Sequence, residues 1–329
     1  MTLIHTCFLV YFQVPHHAGF SKKLFKTRPR FAWYNRSHSP PIDFDTLSEN
    51  ELTVVTAYFD VGPFQKGPGG PLLGSHVYQK FMTVFAQIRN PVVAYFDSSD
   101  HAALMQVLRA NHPKTRVVVV DRSTLWSFRE MEPHIAVIFS QRHYPWHPPN
   151  TVISTYSAAM HAKYELMQWT IRDSPFHSAY ICWLDLGLFR DLASDSVSAA
   201  KNARKSFRLG IPADLNNSAV AYTEVFPSPP IPDLTAEEAV KSNIVWVCGC
   251  FFVGRVDVMW QWSTEYLSAV ESMVSENWMS TDQQVLAWLM LGEGRAKLNP
   301  RTSLQLYRAS GGSHPWFHLG YVAKKAGEQ

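Results

Sequence analysis

From Leu52 onward the chain alternates between two apolar rhythms. Leu52-Thr53-Val54-Val55-Thr56-Ala57-Tyr58-Phe59 is an unbroken apolar and β-branched run, the pattern of a strand covered on both faces. Residues 91–96 and 117–120 repeat it, and residues 180–184 and 245–253 do so further on. Between these runs the period changes to that of a helix. From Ser75, the residues Val77, Phe81, Val84, Phe85 and Ile88 share one face, and residues 102–110 form a second helix. Residues 157–172 carry an apolar stripe of Ala159, Ala162, Leu166 and Trp169 with Lys163 off it, and residues 260–274 and 282–291 are amphipathic. This alternation predicts an α/β fold with a mainly parallel central sheet and helices on both faces. Ligands collect at the carboxyl ends of the strands in such sheets, and Asp60, Asp97 and Asp121 fall at those ends.

Polar and Pro/Gly-rich stretches punctuate the pattern. Residues 36–50 read as a linker, 67–71 (Gly-Pro-Gly-Gly-Pro) as a loop, and 226–233 as an irregular excursion. Thr235 with Glu238, and Thr281 with Gln284, have the spacing of capping boxes that open helices. The division expected is a basic, poorly ordered leader and linker over 1–50, one domain over 51–322, and a tail over 323–329.

Charge changes the picture in one respect. The net charge of +3 comes from the first 42 residues, which hold Lys22, Lys23, Lys26, Arg28, Arg30 and Arg36 and no acid. Setting these six aside leaves 24 basic against 27 acidic residues. A nucleic-acid-binding body would itself be basic, so no nucleic-acid partner is expected. The apolar run from Leu3 to Val14 is too short to span a bilayer and has no preceding positive region. Membrane association is expected through this N-terminal segment or not at all, and the compartment stays open. Cys7, Cys182, Cys248 and Cys250 form no framework. A Cys248–Cys250 bridge would be strained, because alternate residues of an extended strand stand about 7 Å apart, so free thiols are expected.

Four features could carry chemistry. Asp185 closes the strand Tyr180–Leu184 and precedes Leu186-Gly187; it can offer oxygens to a divalent cation or simply cap the turn. Gly249 interrupts an apolar strand, which marks either the close approach of a ligand or backbone or a β-bulge. Asp282 begins a helix, where the dipole favours it with or without a catalytic role. His314 with His318, and His143 with His147, could complete a metal site, although loop histidines are usually surface residues. Phosphate-binding P-loops, dinucleotide fingerprints, nucleophile elbows and zinc-protease motifs are absent from the sequence.

In this order, Val54-Val55-Thr56-Ala57-Tyr58-Phe59-Asp60-Val61-Gly62, Trp183-Leu184-Asp185-Leu186-Gly187, Gly249-Cys250-Phe251-Phe252-Val253-Gly254 and Asp282-Gln283-Gln284 resemble the HtrL/YibB-type proteins, which in turn resemble glycosyltransferases of the GT-A fold. The likeness covers roughly residues 52–320. It implies a GT-A-like single domain that transfers a sugar from a nucleotide-sugar donor to a glycan, lipid or protein acceptor, assisted by Mn²⁺ or Mg²⁺. Thr56, Ala57 and Asp60 would border the nucleoside, Asp97 would contact base or ribose, and Lys163 would reach the donor phosphates. Asp185 would be the metal aspartate, Gly187 and Gly249 would lie beside the donor, Asp282 would be a catalytic carboxylate, and His314 or His318 a further metal ligand. Gly187 stands where a full D-x-D motif has its second acid. That departure keeps a non-catalytic nucleotide-sugar or glycan-binding module as the alternative. A metal-dependent phosphohydrolase ranks third, since it leaves Gly249 and Asp282 unexplained.

Overall fold

The computed structural model describes residues 46–329 apart from 68, 202–205, 228–230, 232, 311–313 and 329. The leader to residue 45, and part of the 226–233 excursion, lie outside the described residues. In chain order the elements are β1 (Ser48–Tyr58), a small hairpin of β2 (Phe64–Gln65) and β3 (Leu72–Leu73), α1 (Ser75–Met82), β4 (Val92–Phe96), α2 (Ser99–Leu108) and β5 (Thr115–Val119). Next come α3 (Glu132–Phe139), α4 (Ser154–Asp173), β6 (Ser178–Leu184), α5 (Val197–Lys201), β7 (Ala219–Glu224), α6 (Ala236–Lys241) and β8 (Val247–Arg255). The chain ends with α7 (Val256–Ser275), α8 (Asp282–Leu291), α9 (Glu293–Leu298), β9 (Ser303–Arg308) and α10 (His318–Ala326).

Seven strands form one sheet in the order β5-β4-β1-β6-β8-β7-β9. The pairs β5–β4, β4–β1, β1–β6 and β7–β9 are parallel, and only β8 runs against its neighbours. The protein is thus an α/β domain with a mainly parallel sheet, as the alternating pattern predicts. The unbroken apolar runs are the central strands: every residue of β4, β6 and β7 is buried. One face of the sheet packs Leu52 and Val54 of β1 against Met82 of α1, Phe85 of the turn after it, Met105 of α2 and Leu319 of α10. On the other, α4 packs against α7, and Tyr164 stacks on Tyr266 at 3.4 Å and on Phe252 at 5.3 Å.

Several boundaries and elements differ from the sequence reading. β1 begins at Ser48, which pairs with Ser178 across a register shift, so residues 48–50 belong to the sheet and not to a linker. The tail from residue 323 is the last part of α10, with Ala323 buried. α3, β7 and β9 lie in stretches that the pattern left unassigned; α3 follows a π-helical turn (Ser127–Met131), whose N–H groups at Trp126 and Ser127 are accepted by the buried Glu165 carboxylate. Burial holds that carboxyl above its usual range, against the pull of those hydrogen bonds. Among the described residues, no helix is long and apolar enough to cross a membrane.

Candidate functional site

The site begins at the end of β6. The strand pairs with β8 as far as Leu184–Phe251, and the next N–H, that of Asp185, donates to the Cys250 carbonyl at 2.9 Å. Asp185 is therefore fixed by the sheet at the strand terminus. Its Oδ1 accepts from the Trp183 indole at 2.6 Å and lies 3.3 Å from the Lys163 ammonium.

Lys163 comes from α4 and is buried, with a side chain only 3% exposed. Its ammonium donates to the Gly249 carbonyl at 3.0 Å and to Asp282 Oδ2 at 3.1 Å. Burial opposes its charge, but the two carboxylates, Asp185 before Asp282, outweigh that and raise its pKa above the ordinary lysine value. The lysine is thus a permanent cation between two acids drawn from β6 and α8.

Gly249 resolves its two readings together. Tyr222 pairs with Phe252 while the adjacent Thr223 pairs with Cys248, so residues 249–251 bulge from the β7–β8 ladder. The bulge also brings the Asp282 carboxylate against the glycine: a Cβ built at Gly249 would lie 1.9 Å from Asp282 Oδ2. Asp282 is in turn set by the start of α8, where Gln284 Oε1 accepts from the Thr281 N–H and hydroxyl. The same bulge corrects the expectation of free thiols at Cys248 and Cys250. Their Cα atoms come to 5.4 Å, inside bridging range, and the two form a disulfide. Cys182 is a buried free thiol.

These groups open into a pocket of about 460 Å³, within the range of small-molecule sites. Ala57, Lys163, Asp185, Gly187, Gly249, Asp282 and His314 all line it. Its walls include Phe64, Tyr78, Tyr156, Trp316 and Phe317, and two further cations, Lys66 from the β2–β3 hairpin and Arg190 from the turn after β6. Sequence reasoning missed both cations, since neither the Gly/Pro-rich hairpin nor the turn carries a periodic signal. Crowding of its ammonium by protein lowers the Lys66 pKa, with Asp185 acting against the shift. The residue as a whole is solvent-exposed, so the effect concerns the ammonium end alone.

Other expected residues lie apart from this cluster. The Asp97 carboxylate is engaged by Arg122 Nε at 2.7 Å and by the Asp60 N–H, while Asp60 Oδ1 accepts from Gly62. Thr56 is fully buried, and its hydroxyl has no partner among the described residues. Asp121 caps a short turn through Ser123. His318 opens α10 and is not among the residues lining the pocket. His147 bonds the Lys241 carbonyl, and His143 sits at a left-handed turn position with φ 68°.

The donor set offers no cage of protein ligands alone for a divalent ion. Among the described residues, no three His, Cys, Asp or Glu side chains converge on a common point. The two carboxylates of the pocket already share the Lys163 ammonium. A second acid of a D-x-D motif at position 187 would require the Phe81 ring to give by a few tenths of an ångström, because a Cβ there meets it at 3.2 Å.

The fold and pocket define an α/β protein with a strand-end carboxylate–ammonium–carboxylate site. No family model matches the chain, and no curated protein matches it in sequence. Among solved structures it is similar to mouse xyloside xylosyltransferase 1 in its apo form, with TM-score 0.37 and 12% identity over 79% of this chain and 86% of that one. It is also similar to 4-diphosphocytidyl-2C-methyl-D-erythritol synthase from Anaerococcus prevotii DSM 20548, with TM-score 0.33 and 9% identity over 85% and 97% of the two chains. Likeness at this level is loose, and the functional reading rests on the site alone.

Proposed function

We propose that the protein is a transferase of the GT-A type that moves a sugar from a nucleotide-sugar donor to a hydroxyl acceptor, consistent with its HtrL/YibB-like motifs. One observation carries the reading: at the carboxyl end of β6, an aromatic-walled pocket joins two carboxylates with three cations. Aromatic faces suit the stacking of a base or sugar ring, and cations suit a diphosphate leaving group whose charge grows as the glycosidic bond breaks.

The two carboxylates take different roles in this reading. Asp282 is nearly buried, with a side chain 5% exposed, and is fixed by Lys163; it orients the sugar or the acceptor hydroxyl. Asp185 is 37% exposed, and only its Oδ1 is held by Trp183 and Lys163. Its second oxygen is the one able to accept the acceptor proton. A binding module on the same scaffold is the second reading, favoured by the engagement of both carboxylates with one lysine.

A panel of nucleotide sugars tests both. A true donor at a hundred times its dissociation constant stabilises the fold by about 2.7 kcal/mol in thermal denaturation. Asp185→Asn is expected to keep that stabilisation and lose donor turnover. Stabilisation without turnover in the unaltered protein, across a panel of sugar and lipid acceptors, supports the module. If no nucleotide sugar stabilises the protein, both readings fail.

A further inference from the structure

The three cations of the pocket are not equivalent. Lys163 is committed to Asp185, Asp282 and the Gly249 carbonyl. Lys66 and Arg190 line the same pocket, yet among the described residues neither side chain makes a hydrogen bond or ion pair. They reach the pocket from separate segments, the β2–β3 hairpin and the turn that follows Asp185. The Arg190 guanidinium lies 4.7 Å over the Phe317 ring. Stacking of this kind orients the guanidinium plane and leaves its N–H edge available to an acceptor.

Local charge points the same way. Asp185, Asp282, Lys163 and Arg190 all act on the Lys66 ammonium; with that ammonium protonated the cluster holds one more positive than negative charge, a state that crowding disfavours and a bound anion restores. The surplus sits on the two side chains that lack partners. An unpaired cation beside aromatic walls is relieved most by an anion, and arginine matches the oxygens of phosphate, as of carboxylate, in a two-pronged geometry. Lysine complements it as a point charge.

We propose that Lys66 and Arg190 bind the diphosphate of the donor directly, with no bridging divalent ion, while Lys163 holds the carboxylate pair in the place such an ion would take. This inference rests on the nucleotide-sugar reading of the same pocket and adds to it the identity of the phosphate ligands. It also accounts for Gly187: a second metal-binding acid has no task where side-chain cations neutralise the phosphates.

Titration calorimetry on the full chain tests it, with UDP, GDP, CDP, ADP and inorganic pyrophosphate as probes, each in EDTA and again in excess Mn²⁺. At least one probe is expected to bind in EDTA, with Mn²⁺ changing its affinity by less than about threefold, or roughly 0.7 kcal/mol. Lys66→Met and Arg190→Met are each expected to weaken that binding by about tenfold or more. Arg190→Lys, which keeps the charge but loses the fork, should fall between the unaltered protein and Arg190→Met. Thermal midpoints of the three variants, measured without ligand, separate lost binding from lost folding. Binding that appears only with Mn²⁺ overturns the inference and leaves the nucleotide-sugar reading intact. So does binding in EDTA that survives in the Lys66→Met/Arg190→Met double variant. If no probe binds in either buffer, the nucleotide-sugar reading itself falls, and the inference falls with it.

Discussion

Replacing Gly249 by alanine isolates the junction on which the site depends. The added methyl would lie 1.9 Å from Asp282 Oδ2 and 2.8 Å from its Cγ. A relaxed contact needs roughly 3.5 Å, so with β8 held by its neighbours the carboxylate must retreat by about 1.5 Å. The 3.1 Å link from Lys163 to Asp282 does not survive that movement. A buried hydrogen bond to a charged group contributes about 1.5–3 kcal/mol, and removing one partner of a buried ion pair costs about 3–5 kcal/mol. Because Asp185 and the Gly249 carbonyl still engage Lys163, the lower range applies, and Gly249→Ala should destabilise the fold by about 2–3 kcal/mol. Gly254→Ala, on the same strand, is the comparison: its nearest contact, the Ala219 carbonyl at 3.3 Å, has to give by only a few tenths of an ångström, so its cost should be smaller than that of Gly249→Ala. Urea denaturation of the two variants beside the unaltered protein measures both values. Gly249→Ala that unfolds within about 0.5 kcal/mol of the unaltered protein would refute the reasoning, since Asp282 would then tolerate displacement at no cost.

Two more outcomes follow from buried polar groups around the site. His161 is fully buried on α4, with Nδ1 2.7 Å from the Tyr266 hydroxyl, and burial pushes its pKa down to about 3. The native state therefore resists a proton that the unfolded chain accepts below about pH 6.5. Stability is full above that pH and declines as pH falls toward 3, with a contribution of up to about 1.4 kcal/mol per pH unit. In His161→Gln the slope of stability between about pH 6 and pH 4 should be shallower by that one-proton share, and equal slopes in the two proteins would rule it out. The Thr56 hydroxyl is buried without a partner among the described residues, so Thr56→Val should leave stability unchanged or raise it by up to about 1 kcal/mol. If it also leaves donor affinity unchanged in the calorimetric assay, the nucleoside-contact role assigned to Thr56 is excluded.

Much of the framework was legible because it is local. Residues 52–59, 91–96 and 180–184 are apolar without interruption since both faces of those strands are covered; the helical stripes mark helices but not their buried faces, because α4 and α8 are buried on nearly every side. The capping spacings at Thr235 and Thr281 mark real helix starts. β7 and β9 were not legible: β7 is a short run following polar turns, and β9 is an edge strand with mixed exposure. Strands of that kind are defined by their neighbours more than by their own composition.

The candidate site divides the same way. The sequence alone determined that Asp185 ends a buried strand, that Gly249 breaks one, and that Asp282 starts a helix. It also showed Lys163 as a charge on a largely apolar helix, without showing that the charge is buried. Only the tertiary structure decided that these four meet, because Lys163 and Asp282 stand 119 residues apart and their contact depends on how α4 and α8 pack around the end of β8. It decided as well that a bulge in β8 brings Cys248 and Cys250 within bonding reach, and that Lys66 and Arg190 enter the same pocket. The separation follows from the range of the forces involved. Periodicity records which residues leave water, whereas charge pairing records which residues meet, and that is fixed by packing between elements far apart in the chain.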